Sequence, residues 1–281
     1  MFQPKASLPQ ALSALMKACD IPRYAVLDYR DARETAPHLR LRLDFTPRSV
    51  ILFLLPYYAG ETVNLSRYAA ARDYHILIRE VGEQLIRGLK EMCPEASFFT
   101  YGDHSPIDER HAALTHGLGI LGDNGLLITE DYGSYVFIGD VLTDIPAEHL
   151  GAGAPQPIRR CEGCGACRRA CPTGILRGEG DGCLSAITQQ KGALTEEEIA
   201  LMRRYHTVWG CDECQRHCPH NRSPRLSPLP FFHEARIEEL TLDILDRMDK
   251  ATFHERAFAW RGRETVRRNL LLFEKDINGT E

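Results

Sequence analysis

The sequence predicts an α/β (α+β) domain over residues 1–150, a cysteine-rich domain over 151–230 and a helical C-terminal tail over 231–281. Three observations carry this division. Strand-like and helix-like stretches alternate through the first 145 residues, the pattern of a sheet covered by helices. Gly151-Ala-Gly-Ala-Pro-Gln-Pro157 has the composition of a linker. Eight of the ten cysteines fall between residues 161 and 218.

The elements follow from local pattern. Residues 8–19 read as a short amphipathic helix. Residues 24–28 and 49–55 read as strands, the second bracketed by Pro47 and Pro56. Residues 67–92 carry helical periodicity, with Ile76, Val81, Leu85 and Leu89 as apolar positions. Residues 97–101 predict a strand that runs into Gly102-Asp103-His104-Ser105-Pro106. Ser105 before Pro106 looks like a helix cap with proline in the first turn, which predicts a helix over 107–116. Strands are expected over 126–129 and 134–142, separated by a turn at 131–133. Beyond the linker, Thr195 with Glu198 three residues on forms a capping box and predicts a helix over 195–206. Residues 224–230 are a proline-rich connection, and the last fifty or so residues look helical.

Composition excludes several classes of function. A net charge of −5 offers no global attraction to nucleic acid or anionic membranes. No apolar run reaches the roughly 18 residues of a membrane span. The N-terminus shows no secretory signal, so ten cysteines are read as reduced thiols in a cytoplasmic protein and not as a disulfide framework. Cys19 and Cys93, outside the clusters, are expected to be small buried hydrophobes.

The first cysteine block reads Cys161-Glu-Gly-Cys164-Gly-Ala-Cys167-Arg-Arg-Ala-Cys171-Pro172. This is the spacing that holds [4Fe–4S] cubes in two-cluster ferredoxins. The second block, Cys211-Asp-Glu-Cys214-Gln-Arg-His-Cys218-Pro219, partly copies it. Two-residue gaps let three sulfurs curl around one face of a cube, and in such ferredoxins the cysteine before proline serves the other cluster. By that analogy one cluster takes Cys161, Cys164, Cys167 and Cys218. The other takes Cys171, Cys211, Cys214 and the remaining local thiol, Cys183. Structural zinc also uses four cysteines, but its sites pair two separate knuckles. Four cysteines in eleven residues, closed by proline, fit that poorly.

Gly117-Leu-Gly119-Ile-Leu-Gly122 matches the letters of a dinucleotide fingerprint. That fingerprint needs a strand before it and a helix after it. Here a predicted helix precedes and a predicted strand follows, so the nucleotide reading is rejected. Asp103 stands out among the carboxylates because it sits where a strand ends and a helix begins. It can be a turn residue or, with a raised pKa, a proton donor.

Several stretches together resemble the epoxyqueuosine reductase family. They are Ser66-Arg-Tyr-Ala-Ala-Ala-Arg72-Asp73-Tyr74-His75, Asp103-His-Ser-Pro106-Ile-Asp-Glu109-Arg110, Gly117-Leu-Gly-Ile-Leu-Gly122-Asp-Asn124, Gly133-Ser-Tyr-Val-Phe-Ile-Gly139-Asp-Val-Leu-Thr143-Asp144 and both cysteine blocks. Arg261-Gly262 and Arg267-Arg268-Asn269 resemble the start of the family's C-terminal part.

The resemblance implies a cobalamin-binding N-terminal domain, a ferredoxin-like domain with two [4Fe–4S] clusters, and reduction of epoxyqueuosine to queuosine in tRNA. It implies Asp103 as the proton donor. Arg72, Tyr74, His75, Gly117, Gly119, Gly122, Asn124 and Ser134 become expected cofactor contacts. It also implies an external electron donor of flavodoxin or ferredoxin type, tRNA as a partner, no membrane, and a monomer as a plausible state. The chain departs from the family at Asp123, where a lysine is usual, and at His220, where a tryptophan is usual. It ends at Glu281, before the family's helical repeats, so a short member is expected. Two rivals are a related cobalamin reductase acting on another small substrate and a non-catalytic two-cluster electron carrier.

Overall fold

The protein is described by a computed structural model covering residues 7–274; the ends of the chain, including the last seven residues of the expected tail, lie outside the described residues. The chain forms two compact units. The first joins Met1–Pro56 with His75–Glu162, and the second joins Tyr57–Tyr74 with Gly163–Glu281.

The first unit is built on a four-stranded sheet. Its strands are β1 (Tyr24–Asp28), β2 (Ser49–Pro56), β3 (Phe98–Gly102) and, after a two-stranded hairpin of β4 (Ile120–Leu121) and β5 (Leu127–Ile128), β6 (Val136–Thr143). The order is β1-β2-β6-β3, and every neighbouring pair is antiparallel. The alternation of strands and helices therefore gives a mixed α/β sheet without parallel strands. All eight residues of β2 are buried. Their unbroken apolar run reflects a central strand covered on both faces.

The helices are α1 (Leu8–Ala18), α2 (Pro37–Arg40), α3 (Tyr74–Met92) and α4 (Glu109–Thr115). On one face Leu27, Val50, Leu52, Leu54 and Leu142 pack with Ile107, Ala112 and Ala113 of the α4 segment. The opposite face carries α3. There Gly139 of β6 leaves room for Phe53 and Ile78, since a Cβ would stand 2.5 Å from the Phe53 ring.

Two helix boundaries differ from expectation. The helix expected over 67–92 begins only at Tyr74. Arg67–Ala69 makes a short 3₁₀ turn, and the Asp73 N–H donates to the Glu255 carbonyl at 2.7 Å, which removes it from any helical ladder. The helix expected from Ser105 begins at Glu109, capped by Asp108, whose carboxylate accepts the His111 N–H at 2.9 Å. Residues 105–107 are tied down as extended chain instead, with Ile107 bridging to Glu34 and the Pro106 carbonyl accepting from Thr35 and Ala36.

The second unit carries short helices: α5 (Ala166–Ala170), α6 (Leu184–Gln189), α7 (Glu196–Arg204), α8 (Glu213–Arg216), α9 (Leu242–Arg247), α10 (Lys250–His254) and α11 (Arg263–Glu274). The capping box at the start of α7 is present in full. Trp209 and Phe258 lie at the centre of the core, with Leu245, Phe253, Val266 and Leu270 around them. Residues 57–74 enter this unit by zipping along 208–209. Ser66 donates to the Trp209 carbonyl, and Val208 donates to that of Asn64, both at 2.7 Å. The wholly buried Asn269 closes the joint by donating to the Thr188 and Val208 carbonyls.

Candidate active site and cluster-binding segment

In the first unit, β3 ends at Gly102 and Asp103 follows with φ +61°. Aspartate is among the few residues that tolerate this left-handed conformation, and such strain gathers at functional sites. The turn leaves the Asp103 carboxylate half exposed, with Oδ2 3.6 Å from Nε2 of His75 on α3.

Asp103 borders a cavity of about 200 Å³ with Glu109, Arg110, Leu126, Leu127, Ser134, Val136, Phe137 and Ile138. One wall is apolar, and three acid or hydroxyl groups face it, the usual make-up of a site for a largely apolar small molecule. The Asp103 N–H donates to the Glu109 carboxyl group. Burial first, then the charges of Asp140 and Asp103, push the Glu109 carboxyl well above the ordinary carboxylate range. Asp140, wholly buried on β6, is pushed up by burial, against which the Ser105 hydroxyl acts.

The expected cofactor contacts divide between the units. Ser134 lines the cavity beside Asp103. His75 stands against Asp103, and the buried Asn124 amide nitrogen has no hydrogen-bond partner. Gly117 and Gly119 lie between α4 and β4, and Gly122 opens the turn between β4 and β5. A Cβ on Gly119 would stand 2.4 Å from the Ile128 carbonyl oxygen, and one on Gly122 would stand 2.5 Å from Asn124 Oδ1, so the hairpin's own packing requires both. Gly117 adopts φ +76° just after α4. A helix precedes this segment and a hairpin follows it, which agrees with rejecting a nucleotide fingerprint. Arg72 and Tyr74 belong to the second unit, where the Arg72 guanidinium lies 4.5 Å from the centre of the Phe231 ring.

The hairpin has a second task. Its edge residue Leu121 exchanges hydrogen bonds with 159–161, donating to the Arg159 carbonyl at 2.8 Å and accepting from Cys161 at 3.0 Å. The Asp123 N–H then reaches the Cys161 sulfur at 3.3 Å. An N–H aimed at a thiolate is what tunes a cluster ligand. The Asp123 contribution here comes from backbone, whatever its side chain.

The other seven motif cysteines lie in the second unit, and all eight are free thiols. Helices α5 and α8, which carry Cys167 and Cys214, pack against each other. Burial raises the Cys171 thiol, but the N–H groups of Leu176, Thr173 and Gly174 and the Thr173 hydroxyl outweigh it, and the net shift is downward. Burial pushes Cys211 up to about 12; the Glu213 N–H opposes this, while Cys183, Cys214 and Asp212 add to it. Cys183, Cys211 and Cys214 are therefore close neighbours. A thiol raised as far as that of Cys211 ionises only against strong positive charge, which iron supplies. The donor set fits a cluster that takes one thiolate at each iron corner. Among the described residues no three Cys, His, Asp or Glu side chains converge to hold a single metal ion. Cys19 and Cys93, expected to be buried, are only partly so.

Sequence reasoning missed the Glu109–Asp140 pair. Its signal is the period of two along β6, which puts Asp140 on the same face as Ile138 and Leu142. It also missed Arg67 and Asp212, a buried ion pair at 3.2 Å beside Cys211.

Comparison with known proteins matches these two regions. Residues 160–221 match the family described as a 4Fe-4S double cluster binding domain, so this chain carries a two-cluster iron–sulfur module. Residues 42–103 match "Epoxyqueuosine reductase QueG, DUF1730". The epoxyqueuosine reductase of Listeria monocytogenes is 32% identical over 247 residues, 80% of this chain and 63% of that protein. That of Escherichia coli is 37% identical over 190 residues, 63% of this chain and 48% of that protein. The solved epoxyqueuosine reductase of Streptococcus thermophilus has the same fold, with a TM-score of 0.75 at 22% identity over 95% of this chain and 80% of that one. A further structure, of an epoxyqueuosine reductase with an epoxyqueuosine-modified tRNA stem loop, superposes with a TM-score of 0.73 at 22% identity over 94% of this chain and 81% of that one.

The chain belongs to the epoxyqueuosine reductase family, whose cofactors are cobalamin and [4Fe–4S] clusters. Its matches span about half to three fifths of the curated relatives' length. No described helix is long and apolar enough to cross a membrane.

Proposed function

We propose that this chain is a cobalamin- and iron–sulfur-dependent oxidoreductase that reduces epoxyqueuosine to queuosine in tRNA. The observation that carries this reading is Asp103, poised by a strained turn over a cavity with an apolar wall, in a chain that also holds a double-cluster segment. When bound, cobalamin supplies low-valent cobalt for carbon–oxygen bond reduction, and the clusters supply single electrons.

The chain's own residues do the rest. The walls at Leu126, Leu127, Val136, Phe137 and Ile138 would offer an apolar face to the macrocycle, with Ser134 and the Asn124 amide as polar contacts. Asp103 delivers a proton at the cavity, and His75 orients its carboxyl group. Cys171, Cys183, Cys211 and Cys214 hold one cluster. Electrons enter from a flavodoxin- or ferredoxin-type donor in the cytoplasm, where thiols stay reduced.

The test is turnover of epoxyqueuosine-containing tRNA by protein reconstituted anaerobically with iron, sulfide and cobalamin. Queuosine is the expected product, and D103N should lose roughly 10²–10⁴-fold in rate while still binding cobalamin. Failure to bind cobalamin by absorbance titration ends this reading. Binding without turnover of the tRNA moves the substrate to a different class.

A further inference from the structure

Glu109, half-buried at the cavity, and Asp140, wholly buried behind it, are two neighbouring carboxyl groups at the Asp103 turn. Asp140 is 0% exposed, between Ile138 and Leu142 on the face of β6 that packs against the α4 segment. Neither of its carboxyl oxygens makes a hydrogen bond of ordinary geometry, and the Ser105 hydroxyl is the one polar group that favours its charge. Glu109 also keeps one buried oxygen, Oε1, without a partner, although its carboxyl group accepts the Asp103 N–H and it lines the cavity. Orphaned buried oxygens are rare and call for an explanation. Neighbouring carboxyl groups, one of them wholly buried and neither with all its oxygens paired, resist ionising together, so the pair carries a proton.

We propose that Glu109 supplies protons through Asp103: it returns the proton that Asp103 spends at the cavity, and Asp140 holds the pair's proton in reserve. The inference rests on the reductase reading and deepens it. Removing an epoxide oxygen as water consumes two electrons and two protons. The electrons come from the external donor through the clusters. The Asp103 O–H breaks to deliver the first proton. The Glu109 O–H then breaks as a new O–H forms on Asp103, and that second proton completes the water. Glu109 afterwards regains its proton from solvent at the cavity. A single carboxyl group cannot deliver both protons without being recharged, and Glu109 is the acid tied to its backbone.

The groups around the relay are Asp108, which caps α4, Arg110 on α4, His75 on α3 beside Asp103, Ser105, and the Tyr101 and Tyr29 hydroxyls, on which the Asp140 charge acts. Arg110 is committed elsewhere, donating to the Gly125 carbonyl at 2.6 Å.

The test has two arms, both on the reconstituted holoprotein. Infrared difference spectra at neutral pH should show the carbonyl band of a protonated carboxylic acid that E109Q removes and D140N shifts. Absence of that band in the unmutated protein overturns the proposal, whatever the substrate proves to be. In the kinetic arm, E109Q should lower kcat about tenfold or more with little change in KM. Formate should restore part of the loss in E109A, which a merely structural role would not allow. Unchanged kcat in E109Q overturns the relay, whereas absence of all turnover in unmutated protein that still shows the band overturns only the substrate.

Discussion

Asp140 makes stability depend on pH in a direction opposite to the usual carboxylate. Its folded pKa lies above the ordinary value of about 4, so the folded state binds its proton more tightly than the unfolded state. The stabilisation is fully present below about pH 4 and drains away as the pH rises towards and through neutrality. D140N should therefore flatten the loss of stability between pH 5 and 8, measured by urea unfolding across that range. An unchanged slope would mean that the carboxyl is charged and satisfied in the fold. At this scale the sequence was legible where chemistry follows from spacing. The eight cysteines announce themselves because a cube needs ligands two and three residues apart. The place of Asp103 between a strand and a helix was legible, but position alone read equally as a turn residue, and only the family resemblance favoured a proton donor. Asp140 was not legible, because the period of two says only which residues share its face, and tertiary packing decides that this face is covered by the α4 segment. The same holds for Arg67 and Asp212, which meet across 145 residues of sequence.

The elements that obeyed the sequence are those whose signals are local. Thr195 accepts the Glu198 N–H at 3.2 Å and Glu198 returns the bond to the Thr195 N–H at 2.8 Å, as the capping box demands. T195A should cost about 1 kcal/mol, seen as a lower unfolding midpoint in denaturant with the slope unchanged. No change would mean that α7 is held by packing alone. Elements that departed from expectation were captured by distant partners. The helix expected from residue 67 starts seven residues later because Asp73 is claimed by Glu255 and residues 64–66 by 208–209. The Ser105 cap gave way to Asp108 because 105–107 pair with 34–36. The glycine-rich segment became a hairpin edge that fastens Cys161, a use that no local pattern states.

For the whole molecule, the two units are unequal in what holds them. The first has a continuous core on its sheet, while the second packs short helices around Trp209 beside several buried thiols. Stripping iron from the protein with a chelator should therefore loosen the second unit and leave the first protected, read by hydrogen exchange. C171S should lower bound iron from about eight to about four per chain, two cubes becoming one. Equal loosening of both units would show that the clusters support the whole chain. The linker composition at 151–157 pointed to a boundary near that position, but nothing in the sequence announced that 57–74 leaves the first unit to join the second. The sequence by itself determined the two-cluster cysteine motif, the alternation of strands and helices, and the aspartate at the end of β3, because each is written in the spacing of near neighbours. Only the tertiary structure decided the antiparallel strand order, the excursion of 57–74 and the burial of Asp140 behind Glu109, because those depend on which distant backbone groups find each other as partners.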